Sequence, residues 1–403
     1  MKLNYDLFSP LFKSDPFETF ATMRRDAPVY AHHSPNGKII WYVTRYADVV
    51  AILKDNEHFC KDASNAADSE QLSRPKRAAV QHAINRNMLF ADPPEHTRLR
   101  ALVMKAFTPS RIERMRPRVQ AIADLLLDKV AAQGKMDLIA AFALPLPVIV
   151  ICDMLGIPER DQAQVSELSQ SIISPGAKGL SYRQRRRMMK DFVAYLRELF
   201  ELRRQQPQDD LITALVEAEE AGDRLSESEL SSMVALLLVT GHETTVNLIG
   251  NGTLALLQHP EQVAMVMDRG RVGWQTAVSE LLRYDGPVET STTRWVRQDI
   301  EMDGQLMQRG DIVRVVLSSA NRDLPHCPHA DKLDLSREDN RHLAFGLGIH
   351  FCLGAPLARL EGEIAFETLF RRFPTLRLAG SVDELKWRSG VLFRGLERLP
   401  LTF

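Results

Sequence analysis

The sequence predicts a mainly α-helical fold with a small β lobe. Three features predict it. Apolar residues recur at helical spacing over long stretches, most clearly in 111–133 and 226–257. Strand-like runs are short and few: Val29-Tyr30, 39–44 and 312–317. Late in the chain a glycine-rich loop with one cysteine, Phe345-Gly346-Leu347-Gly348-Ile349-His350-Phe351-Cys352-Leu353-Gly354, runs directly into an apolar, helix-like segment.

The 403 residues are 45% hydrophobic and 26% charged, an ordinary globular composition. A net charge of −1 gives no argument for nucleic acid or for a membrane surface. Four cysteines in so long a chain make no disulfide framework and point to a reducing compartment. The first ten residues hold Lys2, Asn4 and Asp6 and no long apolar run. No signal peptide and no membrane anchor are expected, and the cytoplasm is the expected location.

Taken in order, Asp15-Pro16-Phe17 opens a short helix to about residue 26, and Ser34-Pro35-Asn36-Gly37 turns between the first two strands. Residues 46–55 form a helix with Val49, Val50, Ile52 and Leu53 on its apolar side. Residues 61–90 are polar and irregular, with the charges Arg74 to Arg77 and an apolar end, Met88-Leu89-Phe90. Asp92 is the expected N-cap of the next helix, with Pro93 in its first turn. His96 and Arg100 lie four apart on one face, an arrangement suited to carboxylates. A long helix spans 111–133, ended by Gly134, and others fall near 145–155, 159–172, 181–205 and 208–220. The basic run Arg183, Arg185, Arg186, Arg187 reads as a solvated helix face, and 173–180 is a glycine-rich connection.

Ser226-Glu227-Ser228-Glu229 is a capping box. The helix it opens would run about 45 Å, to residue 257. Midway lies Leu238-Val239-Thr240-Gly241-His242-Glu243-Thr244-Thr245. Gly241 weakens the helix there, and the threonines can bond back to preceding carbonyls and open a bulge. His242 reads as an outward structural residue. An acid beside a hydroxyl suits delivery of protons to dioxygen. Glu280 and Arg283, three apart on a helix, can pair. Residues 287–294 leave that helix as a strand, a helix runs from 357 to about 373, and 389–396 reads as a hairpin. His326, Cys327 and His329 lack further partners at zinc spacing.

Glycines in the cysteine loop allow tight turns or close approach to a flat ligand. A cysteine just before a helix N-terminus is favoured as thiolate, a good ligand for iron. Alone, it would read better as a buried structural cysteine in a tight loop before a helix. The whole run, with Phe345, Gly348, His350, Cys352 and Gly354, resembles the haem-binding loop of the cytochrome P450s. The run at 240–244 resembles the family's (Ala/Gly)-Gly-x-(Asp/Glu)-Thr motif, departing from it at Thr240. Glu280 and Arg283 resemble its Glu-x-x-Arg.

The resemblance implies one domain over 1–403 with the cytochrome P450 fold. It implies haem b (heme b, iron protoporphyrin IX) with Cys352 as axial thiolate, and Phe345, Gly346 and Gly354 around it. His96, Arg100, Arg294 and His350 would hold the propionates. Glu243 would relay protons, Thr244 would orient dioxygen and a water, and Gly241 would let the helix pass close to the haem. Met88, Leu89, Phe90, Val239, Thr240, Val288, Val391, Leu392 and Phe393 would face the substrate. Glu280, Arg283 and Arg322 would be structural, joined by Asn321, Asp323 and Arg337.

The activity implied is a haem-thiolate monooxygenase. One atom of O2 enters a hydrophobic small molecule by hydroxylation or epoxidation, and the other leaves as water. A terpenoid, steroid, fatty acid or polyketide fits such a site, as in secondary metabolism. Electrons from NAD(P)H would arrive through a separate ferredoxin or flavodoxin and its reductase. Arg98, Lys105, Arg111, Arg114 and Arg359 would form the docking face of a monomer. Two alternatives stand beside this: an H2O2-dependent peroxygenase, which usually lacks the acid–alcohol pair, and a non-catalytic haem-binding protein.

Overall fold

The computed structural model describes residues 4–35, 37–66, 86–173, 181–220, 222–325, 327 and 329–403. The charged loop segment 67–85, the glycine-rich 174–180, Asn36 and His326 lie outside the described residues.

Helices α1 (Pro10–Ser14) and α2 (Phe17–Asp26) precede strands β1 (Val29–His33) and β2 (Ile39–Val43), helix α3 (Tyr46–Lys54) and strand β3 (Phe59–Cys60). Then come α4 (Glu95–Ala106), α5 (Pro109–Arg114), α6 (Arg116–Ala131) and strand β4 (Lys135–Asp137). Helices α7 (Pro145–Leu155), α8 (Glu159–Ile173), α9 (Tyr182–Gln205) and α10 (Leu211–Glu217) follow. A small ribbon, β5 (Glu219–Glu220) and β6 (Asp223–Arg224), leads into the long helix α11 (Glu227–Leu257). The rest comprises α12 (Pro260–Asp268), α13 (Gly270–Asp285), β7 (Arg294–Val296), β8 (Ile300–Met302), β9 (Gln305–Met307), β10 (Ile312–Val315), α14 (Leu317–Ala320), α15 (Ala355–Arg372), β11 (Arg377–Leu378) and β12 (Pro400–Thr402).

The chain divides into two compact units. The first comprises Met1–Leu72, Ala123–Leu144 and Thr244–Phe403, and the second Ser73–Ile122 and Pro145–Glu243. The division falls inside α11, between Glu243 and Thr244.

The first unit holds the five-stranded sheet, in the order β1-β2-β10-β7-β3. β1 and β2 pair antiparallel from Val29↔Val43 to His33↔Ile39, and β10 lies parallel to β2. Alternating side chains bury Trp41, Val43, Val313 and Val315 against Val49 and Ile52 of α3. A second core packs Leu248 of α11 and Leu281 of α13 with Trp274, which stacks on Phe366 of α15 at 6.4 Å. A methyl group on Gly252 would lie 2.4 Å from Phe366, so only glycine lets α11 lie so close to α15.

Among the described residues of the second unit, the regular elements are helices apart from one small ribbon. Asp210 caps α10 through Thr213 N–H at 2.7 Å and pairs with buried Arg203. That cap starts α10 at Leu211, later than the expected 208, and the chain has left the helix by β5. The capping box of α11 is present: Ser226 N–H donates to Glu229 at 2.8 Å and Glu229 N–H to Ser226 Oγ at 3.4 Å.

Three expectations need correction. α4 begins at Glu95 with Pro94 as N-cap, so Asp92 lies outside it. A residue before proline is pushed from helical geometry, and Asp92 and Pro93 both precede one. The expected helix over 111–133 is two helices that break at Met115. Residues 287–293 make only isolated bridges, Val288↔Phe393 and Thr290↔Val316, before β7 begins at Arg294. The hairpin near the C-terminus closes through Trp387↔Leu396.

Candidate active site

In the first unit, Cys352 sits between a short turn, Gly348–His350, and the N-terminus of α15, whose N-cap is Gly354. Its backbone N–H donates to the Phe345 carbonyl at 2.9 Å and closes the loop. Gly346 and Gly348 have φ of +70° and +75°, where other residues are strained. At Gly348 a methyl group would also lie 2.6 Å from the Leu53 carbonyl of α3. Cys352 is exposed, and so is the neighbouring Phe351. Cys352 stands two residues before the N-cap of α15, and a methyl group on that N-cap glycine would lie 3.9 Å from its sulfur.

Behind the loop lies a buried ionic network. Glu280 and Arg283 are fully buried and joined by two hydrogen bonds of 2.7 Å. Arg283 also donates to the carbonyls of Asn321 at 3.0 Å and Lys332 at 2.9 Å. Arg337 lies 3.3 Å from Glu280, and Asn340 donates to it at 2.9 Å. Asn321 Oδ1 in turn accepts from Leu343 N–H at 2.6 Å, just upstream of the cysteine loop. Arg322 is placed differently from the expectation: it donates to the Tyr284 carbonyl at 3.0 Å and stacks on Phe17 and Tyr284. Asp323 accepts from Tyr46 N–H at 2.9 Å. Neither bonds to Glu280 or Arg283, because the five donors of Arg283 already meet the carboxylate and three carbonyls.

The polar run of α11 is continuous helix without a bulge. Thr240 is exposed, and its hydroxyl donates back to the Leu236 carbonyl at 2.8 Å, satisfied without breaking the ladder. His242 is buried, not outward: its Nδ1 lies 2.6 Å from the Leu238 carbonyl. A methyl group on Gly241 would meet Ile151 of α7 at 3.3 Å, so the close approach at this glycine is made by α7. Val239, Glu243 and Thr244 are half-buried, and Glu243 and Thr244 are consecutive on the helix.

In the second unit His96 and Arg100 lie one turn apart on α4. Burial, with Arg100 nearby, holds the His96 imidazole below its ordinary range. Met88 is buried, Leu89 half-buried and Phe90 exposed. Asn87, which the sequence did not single out, pins this turn by accepting from Leu89 N–H at 3.0 Å and donating to Ser232 of α11 at 3.3 Å. Arg98 is no free docking cation, since it pairs with Glu95, Asp223 and Glu229. Arg111 and Arg114 share Asp209.

In the first unit Arg294 is buried on β7 and His350 is half-buried beside the cysteine. The strand before Arg294 is held by Lys61, whose ammonium donates to the Thr292 carbonyl at 3.0 Å. Val288, Val391, Leu392 and Phe393 come together: Glu289 N–H donates to the Leu392 carbonyl at 2.9 Å and Thr290 Oγ1 to that of Val391 at 2.8 Å.

The family described as Cytochrome P450 matches residues 30–268 and 274–393. The chain belongs to the cytochrome P450 family. It is similar to the polyketide biosynthesis cytochrome P450 PksS of Bacillus subtilis, 41% identical over 100% of this chain and 99% of that protein. The structure of that P450 from the bacillaene polyketide synthase superposes with a TM-score of 0.91 at 40% identity, over 99% of each chain. The myxobacterial P450 CYP267B1, solved with myristic acid, has a TM-score of 0.90 at 42% identity, over 98% of each chain. P450BioI, solved with an acyl carrier protein bearing hexadec-9Z-enoic acid, has a TM-score of 0.86 at 38% identity, over 98% of this chain and 100% of that one.

The protein is therefore a P450 monooxygenase, and its family brings a haem. The residues present fit that group. Cys352 is an exposed sulfur at a helix start, the donor type that iron takes as thiolate. In the same unit the buried Arg294 is a donor suited to carboxylates. Among the described residues no group of three His, Cys, Asp or Glu could hold a separate metal ion. Helix α11 is long and apolar enough to cross a membrane, but 67% of that stretch is buried inside the protein, as befits a P450's core helix. Arg359, assigned to docking from sequence, is a further loop support: it donates to Ser279 at 2.6 Å and lies 5.1 Å from the Phe345 ring.

Proposed function

We propose that this P450 hydroxylates or epoxidises a long hydrophobic acyl or polyketide chain, as a cytoplasmic monomer. Electrons from NAD(P)H would come through a separate ferredoxin or flavodoxin and its reductase. The observation that carries the reading is an inversion of burial around residues 287–290 and 391–394. Apolar Val288, Val391, Leu392 and Phe393 are only half-buried, while the charged Glu289 and Arg394 beside them are fully buried. Apolar side chains left open while neighbouring charges are hidden suit an apolar ligand. Polyketide and fatty acyl chains are also what the names of PksS, CYP267B1 and P450BioI carry.

When bound, the haem with its thiolate supplies the activation of dioxygen. The chain's own residues have narrower roles. Cys352 would ligate the iron, and Phe345, Gly346 and Gly354 would hold its loop in place. His96, Arg100, Arg294 and His350 would hold the propionates. Glu243 carries protons inward, and the Thr244 hydroxyl holds the water that delivers them. Met88, Leu89, Phe90, Val239 and Thr240 complete the substrate side. Thr240, whose hydroxyl proton goes to the Leu236 carbonyl, leaves that side only an acceptor where the family has Ala or Gly.

The test is a panel of fatty acids, carrier-tethered acyl chains, polyketides, steroids and terpenoids, scored by the spin-state shift of the iron and by product. Acyl or polyketide compounds should shift the spectrum and be oxidised with redox partners. Response only to steroids or terpenoids would overturn the substrate class, and turnover with peroxide alone would overturn the electron source.

A further inference from the structure

We propose that Lys13, near the N-terminus, is a positioning residue that sets the register of residues 287–290 against 391–394, and so selects ligands by bulk. This rests on the assignment of Val288, Val391 and Phe393 to the substrate side made above.

Lys13, on the five-residue helix α1, is 2% exposed. Its ammonium donates to both oxygens of Glu289, at 2.8 and 2.9 Å, across 276 positions of sequence. Its carbonyl accepts from the guanidinium of Arg394, and the Ser14 carbonyl accepts from the same group at 3.3 Å. Arg394 is held in turn by Asp285 at 2.6 Å and lies over Trp387 at 3.7 Å.

One residue therefore holds both partners of the two-stranded contact, one by its side chain and one by its backbone. The contact itself is thin. It consists of the bridge Val288↔Phe393, the bonds of Glu289 and Thr290 to the hairpin tip, and Arg394 N–H to the Pro287 carbonyl at 3.0 Å. A contact that thin specifies register weakly. Val288 and Glu289 are consecutive but differ in burial, half-buried against fully buried, so they face different surroundings. Displacing Glu289 therefore displaces the apolar wall next to it. Buried ion pairs add little stability over apolar substitutes of the same volume, but they fix geometry through directional bonds.

The experiment uses the full-length holoprotein and two iron-binding probes, imidazole and the bulkier 4-phenylimidazole. Lys13→Met removes the ammonium and keeps the carbonyl. It should leave imidazole affinity unchanged and shift 4-phenylimidazole affinity by at least about fivefold. Amide exchange at 391–394 should quicken. Lys13→Arg should restore both readouts. The double variant Lys13→Met, Glu289→Leu should regain the melting temperature but not the discrimination between probes.

Unchanged discrimination in both Lys13→Met and Glu289→Gln overturns the proposal. So does a double variant in which discrimination returns together with stability, since the role would then be structural only. A wild-type protein that takes up no haem instead overturns the functional reading, and amide exchange at 391–394 then decides the clamp by itself.

Discussion

The amide of Cys352 donates to the carbonyl of Phe345 at 2.9 Å, so the loop that presents the sulfur is closed by its own backbone. The ring of Phe345 meanwhile rests 5.1 Å from the Arg359 guanidinium of α15. Loop and helix are thus tied together on both sides of the cysteine. Cys352→Ala keeps these ties and removes only the ligand. The variant should fold, and the reduced carbon monoxide complex should lose its thiolate band. A retained band would mean that another residue ligates iron.

Gly348→Ala tests the loop's backbone. With φ at +75° and the Leu53 carbonyl 2.6 Å from the new carbon, the loop must move. The left-handed conformation alone costs about 1–2 kcal/mol. The melting temperature and the haem content per chain should both fall. Unchanged haem content would show that the loop tolerates displacement.

Arg283→Lys replaces a planar fork with a point charge. Lysine cannot reproduce two 2.7 Å bonds to Glu280 together with those to three carbonyls. The pair keeps its charges, and the expected loss is about 1–3 kcal/mol for each buried carbonyl left without its donor. Denaturant unfolding measures it, and a loss below about 1 kcal/mol, the level of a surface pair, would contradict a fully buried network.

Thr244→Ala removes the hydroxyl proposed to hold the proton-delivering water. NADPH consumption should persist while product falls and hydrogen peroxide rises. Glu243→Gln should slow consumption itself. Coupling that is unchanged in Thr244→Ala would remove that residue from proton delivery.

Glu361 on α15 is fully buried, and its Oε2 has no hydrogen-bond partner among the described residues. Burial raises its carboxyl well above the ordinary range. The folded state therefore holds a proton that the unfolded state releases above about pH 4.5. Linkage makes stability fall as pH rises from that point toward the folded pKa. Glu361→Gln lacks the slope. Its melting temperature should match wild type near pH 4 and exceed it at pH 7.5; a lower value at pH 7.5 would show that the ionised carboxylate has a stabilising partner.

Much of this was legible in the sequence. The cysteine loop, the capping box of α11, the hairpin of β1 and β2 and the Glu280–Arg283 pair depend on short spacings, and local geometry enforces those wherever the segment ends up. Errors gathered where a distant partner decided the outcome. His242 reads as outward by type, yet it is buried with its ring nitrogen beside the Leu238 carbonyl. Arg98 and Arg359 read as free cations, but acids and a ring on other segments occupy them.

The family could be read from the sequence, because the runs around Cys352 and around Glu243 and Thr244 that resemble its motifs are each written within ten consecutive residues. Only the tertiary structure decided that Lys13 meets Glu289, that Asn321 links the buried ion pair to the cysteine loop, and that 287–290 lies along 391–394. Those pairings span tens to hundreds of residues, and no local periodicity encodes them. They arise when buried charges, which cannot stay unpaired away from water, find one another as the chain packs.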